Sequence, residues 1–175
     1  MNRPWETPPA PREERRIEVL RVPAGASWRV VVTGNRVAAL RTHYVDGRTV
    51  PCLLPWDEMC QACNRGLSWR REGYFSAWVL SRQVAAVVAL PDKALETLEL
   101  LHADRIASGN LRHTGLLLER KGESRRAPLI LSWFGDSIGL VGAPVDVPLV
   151  LCRAWGMPAL LERWRSMLQP AQSIG

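Results

Sequence analysis

Four residues of this 175-residue chain have the types and spacing of a metal site. They are His43, Cys52, Cys60 and Cys63, in the pattern His-x8-Cys-x7-Cys-x2-Cys. The two-residue gap in Cys60-Gln-Ala-Cys63 lets one turn present both sulfurs to one ion, and Gly66 permits a left-handed turn just after it. Three soft thiolates and one imidazole select Zn2+ over hard cations. Four protein ligands leave no open coordination position, so the expected site is structural. Other cysteine chemistries match less closely. A redox Cys-x-x-Cys follows a strand and opens a helix in a βαβ unit, which the flanking residues do not suggest. A zinc deaminase needs His-x-Glu and Pro-Cys-x-x-Cys, but Tyr44 and Val45 follow His43, and Met59 precedes Cys60. The fourth cysteine, Cys152, lies in an apolar stretch and reads as a buried free thiol.

Charge points to a partner. Lys plus Arg number 23 against 17 acids, a net +6 with a pI near 9.8, and the only lysines are Lys93 and Lys121. Arg offers phosphate a planar fork of donors and stacks on flat rings. A GC-rich gene would give the same bias, so composition alone leaves both explanations standing. Residues 27–82 are net +4, residues 83–106 net −2 and residues 107–126 net +3. Two basic stretches therefore flank an acidic one and would form a phosphate-tracking face if they converge. The candidate phosphate contacts are Arg41, Arg48, Arg65, Arg70 and Arg71, which are interleaved with Trp69, Tyr74 and Trp78 as candidate stacking rings. Core packing is the alternative for Trp78. Arg125 and Arg126, at a hairpin tip, are a further candidate contact or simply solvated.

These residues need elements to carry them. Residues 1–14, with four prolines, read as an extended flexible arm. Residues 15–22 read as a short strand, and Ser27–Thr33 as a clearer one. Gly34-Asn35 is expected to turn a tight hairpin into a return strand over Arg36–Val45, ended by Asp46-Gly47. Gly73–Leu80 and Val84–Leu90 read as strands, with Tyr74, Ser76 and Trp78 on one face and Phe75, Ala77 and Val79 on the other, more apolar one. A helix is expected from Asp92 to Ile106, with Leu95, Leu98, Leu101, His102 and Ile106 near one face. A hairpin follows over Leu111–Lys121 and Ala127–Phe134, and then helices over Pro148–Trp155 and Pro158–Leu168. The expected fold is mainly β (α+β): a five-stranded OB-like Greek-key barrel over 15–140, a zinc subdomain at about 43–72, and a C-terminal helical extension over 141–175. An SH3-like barrel or another α+β sheet is the alternative. No apolar run approaches the ~18 residues of a membrane span, and the N-terminal residues have no apolar signal core, so a cytoplasmic protein is expected.

A His-Cys-Cys-x2-Cys site inserted in an OB-like order of elements resembles the single-stranded-DNA-binding proteins of T-even-type phages. The matching ligands are His43, Cys52, Cys60 and Cys63, and the likeness in element order spans about residues 27–134. The resemblance implies a basic, aromatic-lined cleft for single strands beside the zinc lobe, with DNA preferred over RNA. It does not extend to that family's acidic tail, since residues 169–175 hold no acid. Nor does it extend to a basic N-terminal cooperativity segment, since Glu13 and Glu14 interrupt Arg12–Arg16.

The expected function is largely sequence-independent binding of single-stranded nucleic acid, through Arg–phosphate contacts and aromatic stacking. The alternative is a zinc-stabilised interaction subunit of a larger nucleic-acid-processing or effector complex. Its C-terminal helices (Leu149, Leu151, Trp155, Leu160, Leu161, Trp164, Leu168) would dock a protein partner or cap the chain's own barrel. An enzyme is not expected: the chain has no Gly-rich phosphate loop, no free His/Cys dyad and no acidic metal cluster.

Overall fold

The longest strand, β5 (Trp69–Val79), carries neighbours along both edges. In the computed structural model, which describes residues 17–56, 58–124, 126–136, 139 and 142–168 (side chains of 167 and 168 excepted), the chain is mixed α+β, mostly strands in one open sheet. The other strands are β1 (Val19–Leu20), β2 (Ser27–Val32), β3 (Ala38–Val45), β4 (Arg48–Pro51), β6 (Val84–Pro91), β7 (Gly115–Arg120) and β8 (Leu129–Gly135). The helices are α1 (Gln61–Asn64), α2 (Asp92–Leu101), α3 (Ala103–Ala107), α4 (Val147–Trp155) and α5 (Leu160–Leu168). The arm expected over residues 1–14 lies outside the described residues.

The sheet runs β1-β6-β5-β2-β7-β8, with β3 also on β5 and β4 on β3. β6 and β5 form a long antiparallel hairpin from Val84↔Val79 to Pro91↔Glu72, and β1 adds in parallel to the far edge of β6. β2 pairs antiparallel with both β5 and β7.

The hairpin expected at Gly34-Asn35 is not there. β2 and β3 lie in series along the same edge of β5: β3 pairs with its first half (Ala38↔Tyr74 to His43↔Trp69) and β2 with its second (Val32↔Ala77 to Val30↔Val79). The backbone N–H groups of Thr33 and Gly34 both reach Ser76 O, at 2.9 and 3.4 Å, so the chain tracks along β5 instead of reversing. A Cβ on Gly34 would sit 3.2 Å from Ser76 Cβ, so glycine here serves close approach rather than a turn. The two-residue turn is Asp46-Gly47, both with positive φ (48° and 84°), which joins β3 to β4.

Alternation along β5 divides the packing as expected. Phe75, Ala77 and Val79 join Val30, Val32, Val88, Leu90, Leu116 and Leu118 in the main core, closed by Leu95 and Leu98 of α2. The opposite face carries Tyr74, with Val87 and Ala89 of β6, and is covered by Val150 and Leu151 of α4 and Leu160 and Trp164 of α5. The apolar side of the C-terminal helices is thus buried on the chain's own sheet. Asp146 caps α4, accepting a hydrogen bond from Leu149 N at 3.0 Å. The helix expected over 92–106 breaks at His102 (φ −133°), which leaves Leu101 exposed.

Candidate metal centre and basic cleft

The β3–β4 hairpin and the turn after it assemble the four ligands. His43 sits on β3 between Val50 of β4 and Trp69 of β5, and is fully buried. Cys52 follows β4 and donates its N–H to Arg41 O at 2.8 Å, which extends the hairpin by one step. After a 3-10 turn at Leu54–Trp56, Cys60 caps α1 and Cys63 lies within it. His43 Nε2 lies 3.5 Å from Cys60 Sγ and 3.4 Å from Cys63 Sγ, and Cys52 Sγ is 3.6 Å from Cys63 Sγ. All four ligand atoms lie within 4.8 Å of one another. A tetrahedron with metal–sulfur bonds of ~2.3 Å and a metal–nitrogen bond of ~2.0 Å has edges of roughly 3.5–3.8 Å, so the set can hold a metal ion. His43 Nδ1 stands 3.1 Å from Ser68 O; donation there leaves the Nε2 lone pair facing the sulfurs.

The protonation balance favours a cation. Partial burial and hydrogen bonds with Cys52 and Cys60 push the Cys63 thiol up to about 12. Burial opposes the Cys60 thiolate too, but backbone N–H groups of Leu53 and Cys63 bring it down to about 7. A cation between the Cys60 and Cys63 sulfurs would favour both thiolates. Cys152 is apart, a buried thiol of α4 raised by burial and by nearby Asp146.

A cleft of about 1070 Å3 opens beside the hairpin. Its walls are the hairpin tip (Tyr44, Gly47, Thr49), the β7–β8 tip (Arg120, Arg126 to Leu129) and the end of α4 (Ala154, Trp155). Among the described residues, Arg21, Arg70, Arg71, Lys93, Arg120 and Arg126 line it against two acids, Glu72 and Asp92. On its floor the buried Glu72 carboxylate accepts hydrogen bonds from both amino groups of Arg21 (2.9 Å each) and from the Tyr74 hydroxyl (2.5 Å), and forms an ion pair with Arg70 Nε at 3.1 Å. Burial works against ionising Glu72, but Arg21, Tyr74 and Arg70 outweigh it and hold its pKa below the ordinary carboxylate value.

The pleat splits the expected contacts. Register places Thr42, Tyr44, Thr49, Arg70, Glu72 and Tyr74 on the cleft face, and Arg41, His43, Trp69 and Arg71 on the other. Arg70 lies over the Tyr44 ring, 5.7 Å from its centroid, and Arg41 over Trp69 at 4.5 Å. Arg71 reaches the cleft rim, but its guanidinium is paired with Glu99 and Asp92. Arg48 and Arg65 are exposed outside the cleft, Arg126 lines it, and Arg125 lies outside the described residues.

Tyr74 is not an open stacking ring: it is 1% exposed, with its hydroxyl on Glu72 and its ring edge-on to Trp155, because α4 and α5 cover that face. Trp78 is half-buried at the far end of β5, beside Gly142 and a separate cavity of about 350 Å3. The aromatics that line the cleft around Tyr74 are Tyr44, 61% exposed, and Trp155, which stacks on Trp164 at 5.8 Å. Tyr44 had a readable signal, since a strand that points His43 inward must point Tyr44 to the opposite face. Arg21 and Trp155 had none, because long-range packing brings them here.

In comparisons with known proteins, no family model, curated protein or solved structure matches the chain. Among the described residues, no helix is long and apolar enough to cross a membrane.

Proposed function

We propose that the chain binds single-stranded nucleic acid in this cleft and that the ion of the Cys3His cluster is zinc. The observation that carries the reading is the cleft lining: six basic side chains against two acids among the described residues, with Tyr44 and Trp155 among its walls. Phosphates would meet Arg, and bases would stack on the rings. Strand order supports it. With β2 and β3 as one interrupted first strand, β5, β6, β7 and β8 follow in OB order, and α2 lies between the third and fourth. The closing pair of such a barrel, β8 with β6, is replaced by β1 on β6. In an OB fold the ligand lies across strands 2 and 3, between the loop after strand 1 and the loop between strands 4 and 5. Those loops correspond here to the metal hairpin and the β7–β8 tip. Zinc would supply folding, not turnover: it would pin the hairpin that carries Tyr44 and Thr49. DNA is the preferred strand only on the likeness to the phage proteins.

The test is competition. A fluorescein-labelled oligonucleotide bound at ~50 mM salt should be displaced by unlabelled single strand far better than by duplex of equal length. Equal displacement by both would count against the reading.

The alternative interaction-subunit reading is favoured by one observation. Leu100 and Leu101 of α2, and Ile130, Trp133 and Phe134 of β8, are exposed large apolar side chains, 39–83% accessible.

A further inference from the structure

Glu72 presents a physical puzzle. An anion-binding cleft gains nothing electrostatically from a carboxylate in its floor, and burying one costs several kcal/mol unless it is well paired. Glu72 is sealed, its side chain 2% exposed, while the Arg21 and Arg70 side chains that bind it are 41% and 49% exposed. Its two oxygens accept hydrogen bonds from both amino groups of Arg21, and one of them forms an ion pair with Arg70 Nε at 3.1 Å. Thr49 Oγ1 accepts from Arg70 Nη2 at 3.0 Å and from Arg21 Nη2 at 3.3 Å, so one hydroxyl bridges the two guanidinium groups. A guanidinium has five N–H donors, so both arginines keep donors beyond these contacts. Arg21 follows β1 and Arg70 is the second residue of β5. Nothing local in the chain holds the two together, and the carboxylate between them does.

We infer that Arg21 and Arg70, fixed side by side by the buried carboxylate of Glu72, form one phosphodiester clamp at the floor of the cleft. The clamp rests on the nucleic-acid reading and adds to it a binding residue, Arg21, and a positioning residue, Glu72. Carboxylate and two guanidinium groups together leave one net positive charge, which matches the single negative charge of a phosphodiester. Pre-ordering two long side chains removes much of the rotamer entropy that a ligand would otherwise have to offset.

The clamp and simple charge counting give opposite expectations. Glu72→Gln adds one positive charge to the cleft, so charge alone makes a polyanion bind more tightly. The clamp makes it bind more weakly, by about tenfold for each charge-assisted hydrogen bond lost to phosphate. Arg21→Lys keeps the charge and removes the fork, and should weaken binding by a similar factor. The full-length protein is titrated into a labelled dT oligonucleotide, with metal content and near-ultraviolet circular dichroism checked for each variant. Weaker binding by both variants, with metal and fold retained, supports the clamp. Equal or tighter binding by a folded Glu72→Gln overturns it, whereas wild-type protein that fails to bind overturns the nucleic-acid reading as well. If Glu72→Gln does not fold, Arg21→Lys decides: unchanged affinity overturns the clamp.

Discussion

Removing the metal should melt one part of the molecule and spare the rest. Among the described residues, the main core holds eighteen buried hydrophobic side chains and the face under α4 and α5 holds nine, whereas the cluster around the ligands has three: Cys52, Cys60 and Ala62. Partly buried Val45, Leu53 and Leu67 add to it. At ~25 cal/mol per Å2, burial of that kind contributes on the order of a few kcal/mol. A structural zinc site contributes about 10–16 kcal/mol at neutral pH. If zinc occupies the site, the ion would dominate the ordering of residues 58–68, and apolar burial that of the sheet. Chelation, or Cys60→Ser, should abolish hydrogen-exchange protection at Asn64, Arg65, Gly66 and Leu67, whose N–H groups bond within that segment. Amides of β2, β6 and β7 should stay protected, and the main thermal transition should move by only a few degrees. Cys152→Ser should leave metal content unchanged. Full protection of residues 64–67 in metal-free protein, or loss of protection across the whole sheet on chelation, would refute the division.

The two faces of the hairpin should respond differently to truncation: Tyr44→Ala should cost about 1–3 kcal/mol of single-strand affinity with little change in salt dependence, whereas Trp69→Ala should leave affinity nearly unchanged. Glu72 has a lowered pKa in the folded state, so its stabilisation is present above the unfolded value of ~4.3 and is lost as pH falls below it. Thermal melts should therefore show a steeper acid-side loss of stability in the wild type than in Glu72→Gln. Asp146→Ala removes the α4 cap and should destabilise by about 1 kcal/mol, seen as a lower denaturation midpoint at unchanged metal content.

Local chemistry was the most legible part of the sequence. Cys60-x-x-Cys63 announces a site by itself, and His43 and Cys52 follow from residue type and proximity. Strand identity was legible wherever β-branched residues run, as at Ser27–Val32 and Val84–Leu90. Strand partners were not. Gly34-Asn35 has turn composition, but its glycine serves contact with Ser76, and two backbone bonds to that residue carry the chain onward. The first four residues of β5, Trp69 to Glu72, are polar or exposed enough to read as loop, and only their pairing with β3 makes them strand. Alternation sorted Tyr74 from Phe75 correctly. It says nothing about what covers each face, and α4 and α5, some seventy residues later, cover that of Tyr74. Arg70 and Arg71 are neighbours in sequence and opposite in the sheet, so a run of arginines does not amount to a patch. The Arg21–Glu72 pair, 51 residues apart, has no local signature.

Binding of a labelled single strand measured across a range of salt concentrations tests the central claim most directly. If three or four phosphates meet arginines of the cleft, log affinity should fall linearly with log salt, with a slope of roughly −2 to −3. Arg70→Ala should reduce that slope by about one contact and weaken all sequences alike. A folded, metal-loaded protein that fails to bind single strands at ~50 mM salt, or binds with a slope near zero, would contradict the account.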